Sequence, residues 1–93
     1  MKTQINFDNE ASETQTLIEI QTEDRLGLLY AISQTFSELA LDIVRARIVT
    51  ERGAAIDSFY VCELGGGKIV PTERQQQIER GLRQAIHRLE AVK

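Results

Sequence analysis

The chain has 93 residues, of which 42% are hydrophobic and 27% are charged, the balance of one small globular domain. Eleven basic and fourteen acidic residues give a net charge of −3, which weighs against a nucleic-acid partner because phosphates favour a basic surface. One cysteine excludes an internal disulfide and a cysteine-rich zinc site, and one histidine leaves little metal chemistry. We therefore expect no metal or cofactor, and too few chemically active side chains for a self-contained enzyme.

The polar start of the chain and its short apolar runs weigh against a signal peptide and a membrane span. The lone cysteine fits a reducing compartment, so we expect the cytoplasm. Residues 1–93 contain no internal repeat and no shift in composition that would mark a boundary, and we interpret them as one domain.

Two strands are predicted at the start of the chain. The first covers residues 2–7, with its two apolar side chains on one face, and a polar loop follows. Residues 16–22 alternate between apolar and polar side chains, so Ile18 and Ile20 share a buried face while the other face meets water. This second strand is the first core strand of the predicted sheet.

A helix is predicted to follow, because the hydrophobic period changes after Asp24. We expect it to start at Asp24 or just beyond. An Asp side chain can accept from the free N–H groups of a first turn, and its charge suits the positive helix end. The apolar residues recur at i, i+3, i+7 and i+10 and predict the buried face: Leu29, Ile32, Phe36 and Leu39.

A β-hairpin is predicted next, from residues 42–51 and 54–64. Gly53 lies in the tight turn between these strands, where it can adopt a positive φ. We expect the arginines of the first strand to be solvated or to pair with Glu19 or Gln21. Alternation predicts the two faces of that strand, with Val44, Ala46, Ile48 and Thr50 on one and Arg45, Arg47 and Val49 on the other.

Several single residues have simple structural interpretations. We expect Asp57 at an edge or rim position of its strand rather than buried and paired. Cys62 is predicted to be a small packed residue, and His87 to be exposed on a helix. Residues 65–67 are three glycines that predict a flexible loop, because no Gly-Lys-Ser/Thr pattern follows for phosphate binding.

A second helix is predicted to begin at Thr72, because Thr72 and Gln75 fit a capping box. Glu79 and Arg83 form an i,i+4 pair on its wet side. Gly81 either permits the close approach of a neighbouring element or is tolerated at a cost of about 1 kcal/mol relative to Ala. The apolar spacing predicts the buried stripe: Ile78, Leu82, Ala85, Ile86 and Leu89.

The order strand, strand, helix, strand, strand, helix predicts an α+β fold. A sheet with one polar face and two helices on the other is a two-layer sandwich of ferredoxin-like type. Such a sheet usually gains its last edge strand after the second helix. We predict instead that the N-terminal strand takes this edge position and pairs antiparallel with residues 16–22.

The run Asp24-Arg25-Leu26-Gly27-Leu28-Leu29 resembles the Asp-Arg-Pro-Gly-Leu signature of the ACT family, small regulatory domains that sense amino acids. It lies between the first core strand and the first helix, where that motif lies in the family. Residues 41–50 and 57–61 resemble the next two strands of the family. The Phe7-Asp8-Asn9…Ser12 segment resembles the subgroup found as the C-terminal ACT domain of bacterial PII uridylyltransferase.

This resemblance implies a regulatory domain without catalysis of its own, which is a homodimer and acts on an attached or associated catalytic domain. The implied ligand is a small-molecule amino acid, with glutamine as the first choice from the uridylyltransferase resemblance. The ligand would lie between protomers, between the loop before the first helix and the start of the third strand. The implied ligand-binding residues are Asp24, Arg25, Leu26, Gly27, Leu28, Leu29, Asp42 and Ile43.

The start of the first helix offers a chemical basis for such binding. Its free N–H groups and positive dipole end suit a carboxylate, and Gly27 lets a ligand approach the backbone closely. Asp24 can take the ligand's ammonium group. The same two residues also have a purely structural interpretation, in which Asp24 is only a helix cap and Gly27 only a turn residue.

Two other functions stay open at this point. The first is a dimerisation or protein-interaction module of the same fold that binds no small molecule. This alternative is favoured by Leu26, which replaces the usual proline, and by Ala40, which replaces a common glycine. The second is an RNA-binding ferredoxin-like domain, which the 5% aromatic content and the negative net charge disfavour.

Overall fold

Four strands and two helices make up residues 2–91, the part of the chain that the computed structural model describes. In chain order they are β1 (Gln4–Asp8), β2 (Thr16–Glu23), α1 (Leu28–Glu38), β3 (Leu41–Glu51), β4 (Ala54–Glu63) and α2 (Thr72–Ala91). The strands form one antiparallel sheet in the order β1-β2-β4-β3, and both helices contribute to the core on one face. The predicted α+β, ferredoxin-like sandwich is confirmed.

The N-terminal strand occupies the edge of the sheet, as predicted. β1 pairs antiparallel with β2, with Ile5 opposite Ile20 and Phe7 opposite Ile18. Both β1 side chains thereby lie on the helix-covered face, where Ile5 is buried and Phe7 packs against the core. The edge strand thus follows from the hydrophobic pattern of the first seven residues.

The core lies between the sheet and the helices. Phe36 and Phe59 meet edge to face at its centre, with ring centroids 5.4 Å apart and an interplanar angle of 73°. A Cβ atom on Gly81 would lie 3.3 Å from the side chains of Thr35 and Leu39, so this glycine permits the close approach of α1 and α2. The other core side chains come from alternate strand positions and from one stripe of each helix. They include Ile18, Ile20, Val61, Ile32, Ile78, Leu82 and Ile86.

The start of α1 differs from the prediction. The helix begins at Leu28, and its N-cap is Gly27 at φ 85°, without a side-chain cap from the described residues. The interpretation of Asp24 as the cap is therefore wrong. Leu28 is buried in place of Leu29, which is 46% exposed, because the stripe with Ile32 and Phe36 runs in steps of four from Leu28.

β3 carries an irregularity that the sequence pattern did not reveal. The register shifts between Ile43, opposite Val61, and Arg45, opposite Tyr60, so Val44 is an extra, bulged residue. The predicted alternation holds beyond this bulge but is wrong for Val44. Within β3 only Leu41 is buried, so this edge strand is exposed along almost its whole length.

α2 begins at Thr72 as predicted, but its start is organised differently. The Pro71 carbonyl accepts the first helical hydrogen bond from the Gln75 N–H at 3.0 Å. The Gln75 side chain donates to the Ile69 carbonyl at 2.8 Å, and this bond replaces the predicted capping box. The Glu79–Arg83 pair is confirmed at 2.9 Å. Neither helix, within residues 2–91, combines the length and apolarity needed to cross a membrane.

Candidate functional site

A cavity of about 390 Å³ lies at the end of the sheet where β2 ends and α1 begins. All six residues of the predicted loop, Asp24 to Leu29, line it. The structure adds five residues from α1 and from the neighbouring ends of β3 and β4: Tyr30, Ile48, Thr50, Ala55 and Asp57. Its volume is in the range of small-molecule sites, which is about 300–1,000 Å³.

Backbone hydrogen bonds hold the loop in this position. The Asp24 N–H donates to the Gly53 carbonyl at 2.8 Å and ties the end of β2 to the β3–β4 turn. Gly53, at φ 80°, confirms the predicted turn. The Leu28 N–H donates to the Arg25 carbonyl at 3.1 Å, and Gly27 then turns the chain into the helix.

This loop leaves backbone donors at the start of α1. The Gly27 carbonyl accepts from the Ala31 N–H at 2.9 Å, which is the first helical bond. Within the described chain, the N–H groups of Leu29 and Tyr30 have neither a backbone acceptor nor a side-chain cap. With the helix dipole, these N–H groups make the cavity wall attractive to an anionic group.

Asp57 is the buried charged residue of the cavity, at 2% exposure. It lies on β4 between Ile20 and Ile48, and its Oδ1 accepts from the Val49 N–H at 3.4 Å. Burial raises the pKa of Asp57, the Val49 hydrogen bond lowers it, and the nearby Asp24 carboxylate raises it further.

The prediction of an edge or rim position for Asp57 is therefore wrong. β4 is a central strand, so a residue on its helix-covered face is buried. The sequence contained a signal for this placement. Asp57, Phe59 and Val61 are spaced two residues apart, and the two apolar members belong to the core.

Two other residues of the predicted loop face solvent. Arg25 pairs with Glu23 at 3.1 Å, with both side chains substantially exposed. Leu26 is fully exposed. Arg25 thus keeps contact with solvent, and its guanidinium is already matched by the Glu23 carboxylate.

Asp42 and Ile43 lie far from the cavity within one chain. β3 and β2 both run antiparallel to β4, so the start of β3 lies at the opposite end of the sheet from the end of β2. Both residues are exposed on the edge strand. One copy of the chain therefore brings together six of the eight predicted site residues.

Outside the cavity lie three other residues considered in the sequence analysis: Arg45, Cys62 and His87. The Arg45 guanidinium lies 4.3 Å from the centre of the Tyr60 ring instead of pairing with Glu19 or Gln21. Cys62 is a free, half-buried thiol, and His87 is exposed as predicted. Across residues 2–91 there is no group of three or more His, Cys, Asp or Glu side chains placed to hold a metal ion.

Comparison with known proteins decides the family. The model of the "ACR9-like, ACT-like domain" family matches residues 4–92, nearly the whole chain. The chain belongs to the ACT-like domain family. The resemblance that rested on the loop before α1 and on two strands is thereby confirmed.

The relatives of this ACT-like domain also match the predicted subgroup. Bifunctional uridylyltransferase/uridylyl-removing enzymes from Cereibacter sphaeroides and Rhodospirillum rubrum are 44% and 43% identical to it over 84 and 79 residues. These alignments cover 90% and 85% of the chain but only 9% and 8% of the relatives, so it spans less than a tenth of their length.

A solved structure supports the fold. The crystal structure of an unknown protein from Galdieria sulphuraria superposes with a TM-score of 0.61 at 14% identity, over 77% of this chain and 38% of that one. At this level of identity the likeness concerns the fold alone.

Proposed function

We propose that this ACT-like domain is a regulatory module that binds a free amino acid in the cavity before α1. The observation that carries the proposal is the position of the family's loop. All of its residues from Asp24 to Leu29 line one cavity, and the N–H groups of Leu29 and Tyr30 are open there. A ligand carboxylate would accept from these donors.

Glutamine is the first ligand to test. The relatives are enzymes that add and remove uridylyl groups, and the notion of glutamine sensing rests on this relationship. Catalysis would lie in domains outside this chain, to which the ACT-like domain is attached or bound. Ligand binding would shift the equilibrium of the module between two arrangements, and a coupling of about 1–3 kcal/mol is enough for a useful switch.

A homodimer would complete the site. β3 is an exposed edge strand, and Ile43, Val44 and Ile48 present apolar surface along it. Two β3 strands paired antiparallel across a two-fold axis would bring the start of each strand to the end of the other. Asp42 and Ile43 of a second copy would then lie near the Asp24–Leu29 loop, so that all eight predicted residues surround one ligand.

A thermal-shift screen of the twenty amino acids, beginning with glutamine, tests this proposal. A ligand at about 100 times its dissociation constant stabilises the folded state by about 2.7 kcal/mol and raises the melting temperature by several degrees. Leu29→Glu places a negative charge beside the open N–H groups and should abolish the shift. Val70→Glu alters an apolar residue that is also exposed, at 64% against 46% for Leu29, but lies away from the cavity, and this variant should keep the shift. A screen without a hit at millimolar concentrations contradicts amino-acid binding.

A second candidate function is an interaction module without a small ligand. It is favoured by the exposed apolar residues of the β3 edge, together with Tyr30 on α1. Analytical ultracentrifugation of the wild type, Val44→Lys and the control Val70→Lys separates the candidates. A dimer that Val44→Lys alone dissociates, and that no amino acid stabilises, supports this second function, whereas a wild-type monomer contradicts the proposed dimer.

A further inference from the structure

Asp57 is a buried charge that the protein leaves poorly matched. The residue is 2% exposed, and among residues 2–91 its carboxylate accepts one hydrogen bond, from the Val49 N–H at the long distance of 3.4 Å. The ion pairs among residues 2–91 are Arg25–Glu23, Arg74–Glu63 and Arg83–Glu79, so none of them reaches Asp57. Its second carboxylate oxygen accepts from no described protein group, and it keeps some accessible surface, because no fully buried side-chain oxygen among residues 2–91 lacks a hydrogen-bond partner.

The surroundings of Asp57 favour a positive group from outside. Burial of an unpaired carboxylate is costly, so a fold that keeps one gains stability from any cation that reaches it. Asp57 lines the same cavity as Asp24, whose carboxylate adds to the negative potential. The N–H groups of Leu29 and Tyr30, which have no acceptor among the described residues, favour a negative group instead.

We infer that Asp57 accepts the ammonium group of the bound amino acid, while the N–H groups of Leu29 and Tyr30 hold its carboxylate. This inference rests on the proposed function and makes it more specific. The cavity then takes compounds that carry both a free amine and a carboxylate. N-acylated amino acids and carboxylic acids without the amine are excluded, because they would leave Asp57 unpaired inside a filled cavity.

Two comparisons test the role of Asp57. The first uses the wild-type chain with L-glutamine, N-acetyl-L-glutamine and glutaramic acid, which is glutamine without its amine. The second uses Asp57→Asn, in which the side-chain oxygen can still accept from Val49, with Glu79→Gln as a control that removes one negative charge from the surface of α2. Calorimetric titration measures the affinity of each protein for each compound. If the thermal-shift screen identifies an amino acid other than glutamine, that amino acid is used in place of glutamine.

The outcomes distinguish the role of Asp57 from the proposed function, which is amino-acid binding in the cavity before α1. We expect wild type and Glu79→Gln to bind the amino acid equally, and Asp57→Asn to bind it roughly 10- to 100-fold more weakly. The compounds without a free amine should not bind wild type. Equal affinity for amine and amine-free compounds, or full affinity in Asp57→Asn, overturns the role of Asp57 and leaves amino-acid binding standing. If no amino acid binds the wild type, the proposed function fails, and the role of Asp57 fails with it.

Discussion

At the end of the sheet where β1 ends and β2 begins, which we call the anchored end, buried polar groups are paired with each other. The hydroxyl of Thr16 donates to the Asn9 side chain and accepts from the Ile69 N–H at 2.8 Å. The Asn9 amide in turn donates to the Ile69 carbonyl at 2.9 Å. At the cavity end, Asp57 and the first N–H groups of α1 have much poorer matches.

Arg74 extends the pairing at the anchored end. Its guanidinium donates to both carboxylate oxygens of Glu63, at 2.8 and 3.0 Å, and to the Leu39 carbonyl just after α1. One side chain thus joins α2 to β4 and satisfies a helix end. The difference between the two ends indicates where a ligand would bind. Polar groups that form hydrogen bonds with each other stabilise the fold, whereas polar groups without such partners are available to a ligand.

The largest effect is expected from Thr16→Val at the anchored end. Valine keeps the shape but leaves the buried Ile69 N–H and the Asn9 side-chain oxygen without their partner, at a cost of about 2–3 kcal/mol. Thr22→Val is the matched control at the cavity end. Thr22 is as buried as Thr16, but within residues 2–91 its hydroxyl pairs only with that of Thr3, at 2.7 Å, and the loss of this bond should cost about 0.5–1 kcal/mol. Urea unfolding measures the free energy of unfolding of both variants. Equal losses in Thr16→Val and Thr22→Val would contradict the proposed difference between the two ends.

Arg74→Met should destabilise the chain by about 2 kcal/mol, because it leaves a partly buried Glu63 and the Leu39 carbonyl without their donor. Glu79→Gln breaks an exposed ion pair of similar length on the same helix and should cost only about 0.3 kcal/mol. Urea unfolding in low and high salt gives both values. An Arg74→Met loss as small as that of the control would show that the anchored end does not depend on this residue.

Asp57→Asn should increase the free energy of unfolding, unlike Thr16→Val and Arg74→Met at the anchored end. It removes a buried charge that the ligand-free protein leaves poorly matched. Burial raises the pKa of Asp57 above its ordinary 3.8, so the folded state holds the proton more tightly than the unfolded state. Its contribution to stability is therefore full at low pH and is lost as pH rises from 3.8 through the raised pKa. At about pH 7 the variant should be more stable than wild type by on the order of 1 kcal/mol.

Melting temperatures of both proteins across this pH range check the prediction. The difference should shrink as the solution becomes acidic, because wild-type Asp57 then becomes neutral as well. Asp24, Arg25 and Tyr30 are the other titratable side chains that line the cavity, and both proteins retain them. A variant less stable than wild type at neutral pH would contradict the view that Asp57 is poorly matched without a ligand.

Neither end of the sheet could be predicted completely from the sequence. Hydrophobic periods place Ile18, Ile20 and the α2 stripe correctly, because burial of apolar surface decides both the period and the packing. The bulge at Val44 and the pairing of Asn9 with Ile69 were missed, since each depends on residues that are distant in sequence. Asp57 was misplaced for a related reason. Its burial follows from the central position of β4, which local polarity does not indicate.

A smaller effect than that of Asp57→Asn is expected from Ala40→Gly, just after α1 at the anchored end. Ala40 adopts φ 59°, a left-handed conformation that costs an L-residue about 1–2 kcal/mol and a glycine much less. The greater freedom of an unfolded glycine chain opposes this gain, so we expect a net stabilisation of about 0.5 kcal/mol.

Arg52→Gly is the matched control for Ala40→Gly, because Arg52 has φ 53° in the β3–β4 turn beside the cavity. Differential scanning calorimetry of both variants, alone and with saturating ligand, separates local strain from binding. If both variants gain the same stability, with and without ligand, the gain comes from relief of backbone strain and not from a change in ligand binding. Loss of stability in Ala40→Gly would show that the Ala40 methyl group makes packing contacts worth more than the strain it causes.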